Sequence, residues 1–180
     1  MKLGLLTAPF PDTSLMDVAD WAAAADFEVL EIACWPVATG PTRRYAGTGH
    51  IDVTNLSDAQ ASEIVGEIAA KGLSISGLGF YPNPLHPDLE HREQVIAHLR
   101  AVMVAARKMG VPLVNTFMGG DSAKHQDDNW EEALRVWPDI VRFAQDQGVK
   151  ITLENCPMLF SNDEWPGGNN IATTPRMWRR

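Results

Sequence analysis

Lys150-Ile151-Thr152-Leu153-Glu154-Asn155 is a short apolar run that ends in an acid and an amide. As a strand it sets a carboxylate at its carboxyl end, where parallel α/β folds carry out their chemistry. Such a group can bind a hard cation or move a proton, or it can pair with a neighbouring lysine or arginine. Glu154 is therefore the first candidate residue. His50, His86 and His125 fall in loops that lead from a strand to a helix, on the same rim as Glu154, whereas His91 and His98 fall within a helical stretch. A loop histidine at that rim can touch a substrate or be merely solvated, and His50 and His86 are the stronger two.

The elements that must position these residues alternate strand and helix along the chain, the pattern of a parallel sheet. Strands are expected at Leu3 to Leu6, Glu28 to Ala33, Leu73 to Gly79, Val111 to Phe117 and in the run that ends at Glu154. A helix starts after Ser14, with Leu15, Val18, Ala22 and Ala25 on one face. A second opens at Ser57 with Gln60 completing a capping box, and a third carries Val95, Leu99, Val102, Met103 and Ala106 at core-facing spacing. Asn129 with Glu132 is expected to cap a fourth, which reaches Gln147 through Pro138. Gly72, Gly110 and Gly148 recur at an interval of 38 residues (72 to 110, 110 to 148), each closing a helix just before a strand. That interval holds one βα unit. The long loop from Cys34 through Arg43-Arg44-Tyr45 to Asn55, and the proline-rich Tyr81-Pro82-Asn83-Pro84-Leu85-His86-Pro87, stand over strand ends. Trp165-Pro166-Gly167-Gly168-Asn169-Asn170 reads as a turn-rich loop, and Thr174-Pro175 as a cap with proline in the first turn.

With 180 residues, 45% of them hydrophobic, the chain reads as one domain with a sizeable core. A net charge of −8 argues against a nucleic-acid partner, and no apolar run approaches the roughly 18 residues of a spanning helix. Two cysteines, Cys34 and Cys156, make no disulfide framework, so a cytoplasmic, reduced setting is expected. Cys156 reads as filler. An open flavodoxin-like sheet would suit five βα units, but Thr7-Ala8-Pro9-Phe10-Pro11-Asp12-Thr13 lacks a phosphate-binding glycine loop. An exposed last strand and a helix barely begun at Arg180 favour an α/β TIM (β/α)8-type barrel of which residues 1–180, a single partial domain, supply about the first five βα units.

The ordered set Leu30-Glu31-Ile32, Tyr81-Pro82-Asn83-Pro84-Leu85, Val114-Asn115-Thr116-Phe117 and Leu153-Glu154-Asn155 resembles the sugar phosphate isomerase/epimerase family, the xylose isomerase-like TIM barrels that include endonuclease IV-type nucleases. The resemblance spans essentially the whole chain and the first five-eighths of the barrel. It implies a divalent ion of the manganese, magnesium or cobalt type, held by a glutamate after strand five and by an aspartate, a histidine and a second glutamate from strands six to eight. Glu154 matches the first; the other three would lie beyond Arg180. The nuclease branch carries zinc-binding histidines after strands three and four, where this chain has Gly79-Phe80 and Asn115-Thr116-Phe117.

The implied activity is metal-dependent isomerisation or epimerisation of a sugar or sugar phosphate, in which a proton leaves and returns to carbon beside a carbonyl. Glu154 would act as metal ligand and catalytic residue. Asn115 would bond a sugar hydroxyl or satisfy loop backbone, and Trp35, Tyr81 and Phe117 would wall the sugar or cap the core. With His50 and His86, Trp35, Tyr81 and Asn115 are the expected substrate-binding residues. The alternative is a non-catalytic barrel fragment that binds a small polyol or, through its open sheet edge, a second chain or another copy of itself. An abasic-site nuclease is the third reading.

Overall fold

The computed structural model describes residues 1–37, 47–159 and 168–180. The expected loop residues Arg43, Arg44 and Tyr45 and the turn residues Trp165, Pro166 and Gly167 lie outside them. Strands β1 (Gly4–Leu6), β2 (Val29–Ala33), β3 (Ser74–Gly79), β4 (Leu113–Thr116) and β5 (Lys150–Leu153) alternate with helices α1 (Leu15–Ala24), α2 (Asp58–Ala70), α3 (Leu89–Met109), α4 (Gln126–Gln147) and α5 (Pro175–Trp178). All strands are parallel and in chain order, β1-β2-β3-β4-β5. This is the sequential order of a barrel wall, without the reversal that marks an open doubly wound sheet.

Period-two alternation sorts the strand residues into two faces. Ile32, Leu78, Val114 and Ile151 are register partners across β2 to β5. The first three are completely buried, in a core shared with Val102, Met103 and Ile140 of the helices. Ala33, Gly79, Asn115 and Thr152 form the next row, on the opposite, inward face. Glu31 lies one pleat below Ala33 on that face, and Glu154 follows Thr152 by the same two-residue step. The register shifts between Leu30 and Glu31, so that Ile75 faces Leu30 but Gly77, not Ser76, faces Glu31. A bulge of this kind re-aims side chains, and here it sets glycine beside an acid.

The local punctuation follows the sequence closely. Ser57 and Gln60 form the capping box, Ser14 accepts from the Asp17 N–H, and Thr174 caps α5 with Pro175 in its first turn. Gly110 and Gly148 end α3 and α4 at φ of 67° and 70°. Two expectations need correction. Helix α4 begins at Gln126 with His125 as N-cap, so Asn129 sits inside the helix; its side chain accepts from Asp121 N–H at 2.7 Å and donates back to Asp121 O at 2.9 Å. The preceding loop claims Asn129 before the helix end can. On α1 the buried stripe is Leu15, Val18, Ala19 and Ala22, while Ala25 is the exposed C-cap. Among the described residues no helix is long and apolar enough to cross a membrane.

Candidate active site

Two glycines of β3 make the floor of the site. A Cβ on Gly79 would stand 2.6 Å from Glu31 Oε1, and one on Gly77 would stand 2.9 Å from Asn115 Nδ2. Because β3 presents no side chain there, Glu31 from β2 and Asn115 from β4 can reach toward each other across it. Tyr81, just beyond β3, donates its hydroxyl hydrogen to Glu31 Oε1. From β5, the Thr152 hydroxyl donates to Asn115 Oδ1. The amide nitrogen of Asn115 is thereby left on the side of Glu31 and Tyr81, with both of which it interacts. A polar belt Tyr81–Glu31–Asn115–Thr152 thus joins four adjoining strands on their inner face.

Glu154 completes the cluster. Its backbone N–H continues the ladder to Thr116 O at 3.0 Å, and Asn170 Nδ2 donates to its carbonyl at 3.0 Å and to Cys156 O at 2.7 Å. Asn170 is fully buried and also accepts from Gly119 N–H at 3.3 Å. It therefore ties the segment after β5 to the loop after β4. Burial pushes the Glu31 carboxyl above the usual carboxylate range, against the opposing pull of Tyr81 and Asn115. Partial desolvation, followed by the charge of Glu31, raises Glu154 as well. Burial and the two carboxylates keep the Tyr81 phenol protonated. Two acids whose charged forms are disfavoured, beside a phenol and an amide, form a group suited to proton transfer and to binding hydroxyls.

A raised carboxyl favours the folded state most while it is protonated. Its contribution is full below the unfolded value near 4.5 and is lost as pH rises through the folded one. Glu154→Gln, kept free of metal by a chelator, should therefore unfold about 1–2 °C above the wild type at pH 7, the scale of a solvent-screened charge effect. The difference should vanish at pH 4. Thermal unfolding across that range checks the sign; equal midpoints at pH 7 would remove the repulsion from the account.

Of the sequence candidates, Glu154, Tyr81 and Asn115 come together, and Trp35 adjoins them. The Trp35 and Tyr81 rings lie 5.8 Å apart, Tyr81 and Phe117 4.9 Å, and all three residues are buried. The aromatic row packs as a lid over the core beside the polar belt. His50 stands apart: its Nδ1 meets the Thr7 hydroxyl at 2.9 Å and its Nε2 the Thr13 carbonyl at 3.2 Å, while Thr7 Oγ1 accepts from Ala33 N–H. With both ring nitrogens engaged and burial lowering its pKa, it is a neutral strut beneath the rim. His86 is at the start of α3, accepting from Asp88 N–H and stacked edge-on against His91. Cys34 is buried, and burial drives its thiol pKa up, so it is inert. Glu31 and Asn170 were missed as site residues. The glycine pair 77 and 79 was the available signal for Glu31; Asn170 left none beyond a turn composition.

Glu154 offers the one carboxylate that could serve as a hard oxygen donor of the centre the resemblance implies. Among the described residues no group of three His, Cys, Asp or Glu is placed to hold an ion. These residues fit one ligand of the implied centre and do not form a whole one.

Residues 19–179 match the family model described as xylose isomerase-like TIM barrel. No curated protein matches the chain at the sequence level. Among solved structures, D-psicose 3-epimerase with D-tagatose from Clostridium cellulolyticum H10 superposes with a TM-score of 0.65 at 19% identity, covering 90% of this chain and 55% of that one. The probable 3-DHS dehydratase AsbF of Bacillus anthracis gives 0.60 at 20% identity, covering 86% and 52%. The IolI protein with a bound zinc atom gives 0.60 at 15% identity, covering 85% and 51%. The chain thus spans about half the length of these structures, and they share its fold.

Proposed function

The chain belongs to the xylose isomerase-like TIM-barrel family, and from that membership we propose that it carries the first half of a metal-dependent sugar isomerase or epimerase site. The observation that supports this most is the placement of Glu154 beside Glu31, Tyr81 and Asn115 at the carboxyl ends of four successive strands. The solved relative with D-tagatose, a ketohexose, supports a sugar as ligand, and the relative with bound zinc supports a divalent ion. Sugar phosphates remain within the same substrate class.

The residues of this chain divide the work by their chemistry. Glu154 supplies a hard oxygen donor to a manganese, magnesium or cobalt type ion, and such an ion, when bound, stabilises negative charge developing on a carbonyl oxygen. Asn115 and Tyr81 bind hydroxyls, while the ring of Trp35 and its neighbours excludes water from one side. Further ligands and the partner base belong to the remaining strands of the barrel. The ordered sheet edges at β1 and β5, each paired on one side only among the described residues, also support a non-catalytic polyol-binding reading in which a second copy or another chain docks.

A ketohexose incubated in heavy water with manganese and a polypeptide that joins this chain to the remaining strands of the barrel is expected to gain solvent deuterium on carbon beside its carbonyl. The 180 residues alone, with one ligand of the centre, are expected to give none. Manganese should also broaden the NMR signals of Tyr81, Asn115 and Glu154 selectively, and Glu154→Ala should abolish both effects. Broadening without deuterium uptake would support the non-catalytic reading, and the absence of both would remove the enzyme reading altogether.

A further inference from the structure

Where the chain leaves β2 it is gripped by a loop that follows later in the sequence. Cys34 and Gly49 form an antiparallel bridge, with His50 N–H donating to Ala33 O at 3.0 Å and Trp35 N–H to Thr48 O at 3.2 Å. The fit is close, since a Cβ on Gly49 would collide with Trp35 O. Side chains then fasten this loop to the one after β1. The Thr48 hydroxyl donates to Ala8 O at 2.8 Å, and the His50 ring spans from Thr7 to Thr13. Because Nε2 meets a carbonyl, it carries the ring hydrogen, and Nδ1 of the neutral ring accepts from the Thr7 hydroxyl. The Thr7 oxygen already accepts from Ala33 N–H at 2.9 Å, and Thr7 is fully buried. A second ring hydrogen would turn Nδ1 into a donor and leave the Thr7 hydroxyl hydrogen without its acceptor.

We propose that neutral His50 is a positioning residue for Trp35: it pegs the loop at residues 48–50 so that the indole stays against Tyr81, and acid releases it. The inference rests on the reading of Trp35 as one wall of the sugar site. Trp35 N–H is held by Thr48, so a loop that lets go of Thr7 and Thr13 carries the residue with it. Burial supports the sign, because it favours the neutral ring. The peg is whole above the ordinary histidine value near 6.5 and is lost as pH falls through the lowered folded one. The ionisable side chains on the elements around His50 are Asp12 and Asp17 of the β1 loop and α1, Asp52 of its own loop, and Glu31 and Cys34 at the end of β2. Among the described residues none of these bonds the ring, and no ion pair includes it. Next to Trp35 itself stand Glu31, through Tyr81, and His98, whose Nε2 donates to Cys34 O at 2.8 Å.

The test needs no sugar. With isotope-labelled tryptophan, the NMR signal of the Trp35 indole, assigned through Trp35→Phe, is followed from about pH 7 to about pH 5. It should move to a second position, with the same midpoint as the titration of the His50 ring carbon. His50→Gln can accept from Thr7 and donate to Thr13 without taking up a proton, so it should keep the neutral-pH position over the whole range. His50→Ala should show the second position from the start. Glu31 and His98 still titrate in the glutamine variant, so a Trp35 shift that persists there belongs to them and overturns the proposal. A wild-type Trp35 signal that stays in place, or moves with a midpoint unlike that of His50, overturns it as well, without any variant having to fold. Both results leave the sugar-site reading standing. Absence of deuterium uptake in the longer polypeptide would remove that reading and would not alter the titration of Trp35, so the two failures are told apart.

Discussion

Asn170→Ala is expected to destabilise the protein by about 2–4 kcal/mol and to weaken manganese binding although no ligand atom is removed. Asn170 is fully buried, and its side-chain nitrogen donates to Glu154 O and Cys156 O at 3.0 and 2.7 Å. Its oxygen accepts from Gly119 N–H and Ala172 N–H at 3.3 and 3.4 Å. Alanine would leave those four backbone groups to find other partners in a place with little room for water. The two carbonyls carry most of the loss, since their bonds are the shorter ones. The functional effect follows from location: the residue whose carbonyl is released is Glu154 itself, so its carboxylate would sample orientations that the wild type excludes. Urea unfolding reads the first effect, and manganese-induced broadening at Tyr81 and Asn115 the second. Unchanged broadening in a folded Asn170→Ala protein would show that the ladder bond to Thr116 alone orients Glu154.

The difference between what was legible in the sequence and what was not lies in the range of the interactions. Gly110 and Gly148 announce their helix ends because a left-handed residue there is a local requirement, and the five strands stand out because their neighbours are turns and helices of regular length. Glu154 was legible as a strand-end acid for the same reason. Asn129 misled because Asn-x-x-Glu is also a valid capping pattern, and only the fold shows that the loop from Asp121 to Lys124 folds back onto its side chain. His50 lies in a strand-to-helix loop as expected, but the direction of its ring, which sets it beneath the rim and apart from Glu154, depends on Thr7 and Thr13, 43 and 37 residues away. Glu31 stands in Leu30-Glu31-Ile32, a short strand run where an acid ordinarily points to water, so nothing local marks it as inward-facing. Its inward direction is decided by the bulge opposite Leu30 and Glu31 and by the two glycines on the neighbouring strand. Asn170 is the extreme case, because its burial exists only once the chain returns to β4.

That return also sets the second large effect. Gly119→Ala should cost about 3–5 kcal/mol, enough to consume much of the margin of a domain this size. Gly119 has φ of 85°, where a Cβ is disfavoured by about 1–2 kcal/mol before any neighbour is considered. The added carbon would also collide with Asn83 Oδ1 and stand 2.9 Å from Pro84 Cδ and 3.0 Å from Leu85 N. Asn83 cannot simply swing aside. Its oxygen accepts from Leu85 N–H at 2.9 Å and Gly120 N–H at 3.0 Å, and its nitrogen donates to Gly120 O at 2.6 Å. Moving it would undo the bonds that fasten the proline-rich loop after β3 to the loop after β4. Since the N–H of Gly119 is itself bonded to Asn170, the two substitutions act on one connected unit. Neighbours of this kind are not additive, and the double variant Gly119→Ala with Asn170→Ala should lose at least about 0.5 kcal/mol less than the two separate losses together. Urea unfolding of the four proteins measures that coupling. Strict additivity would mean that the loops after β3, β4 and β5 are held independently, and Tyr81, Asn115 and Glu154 would then owe their common placement to the sheet alone.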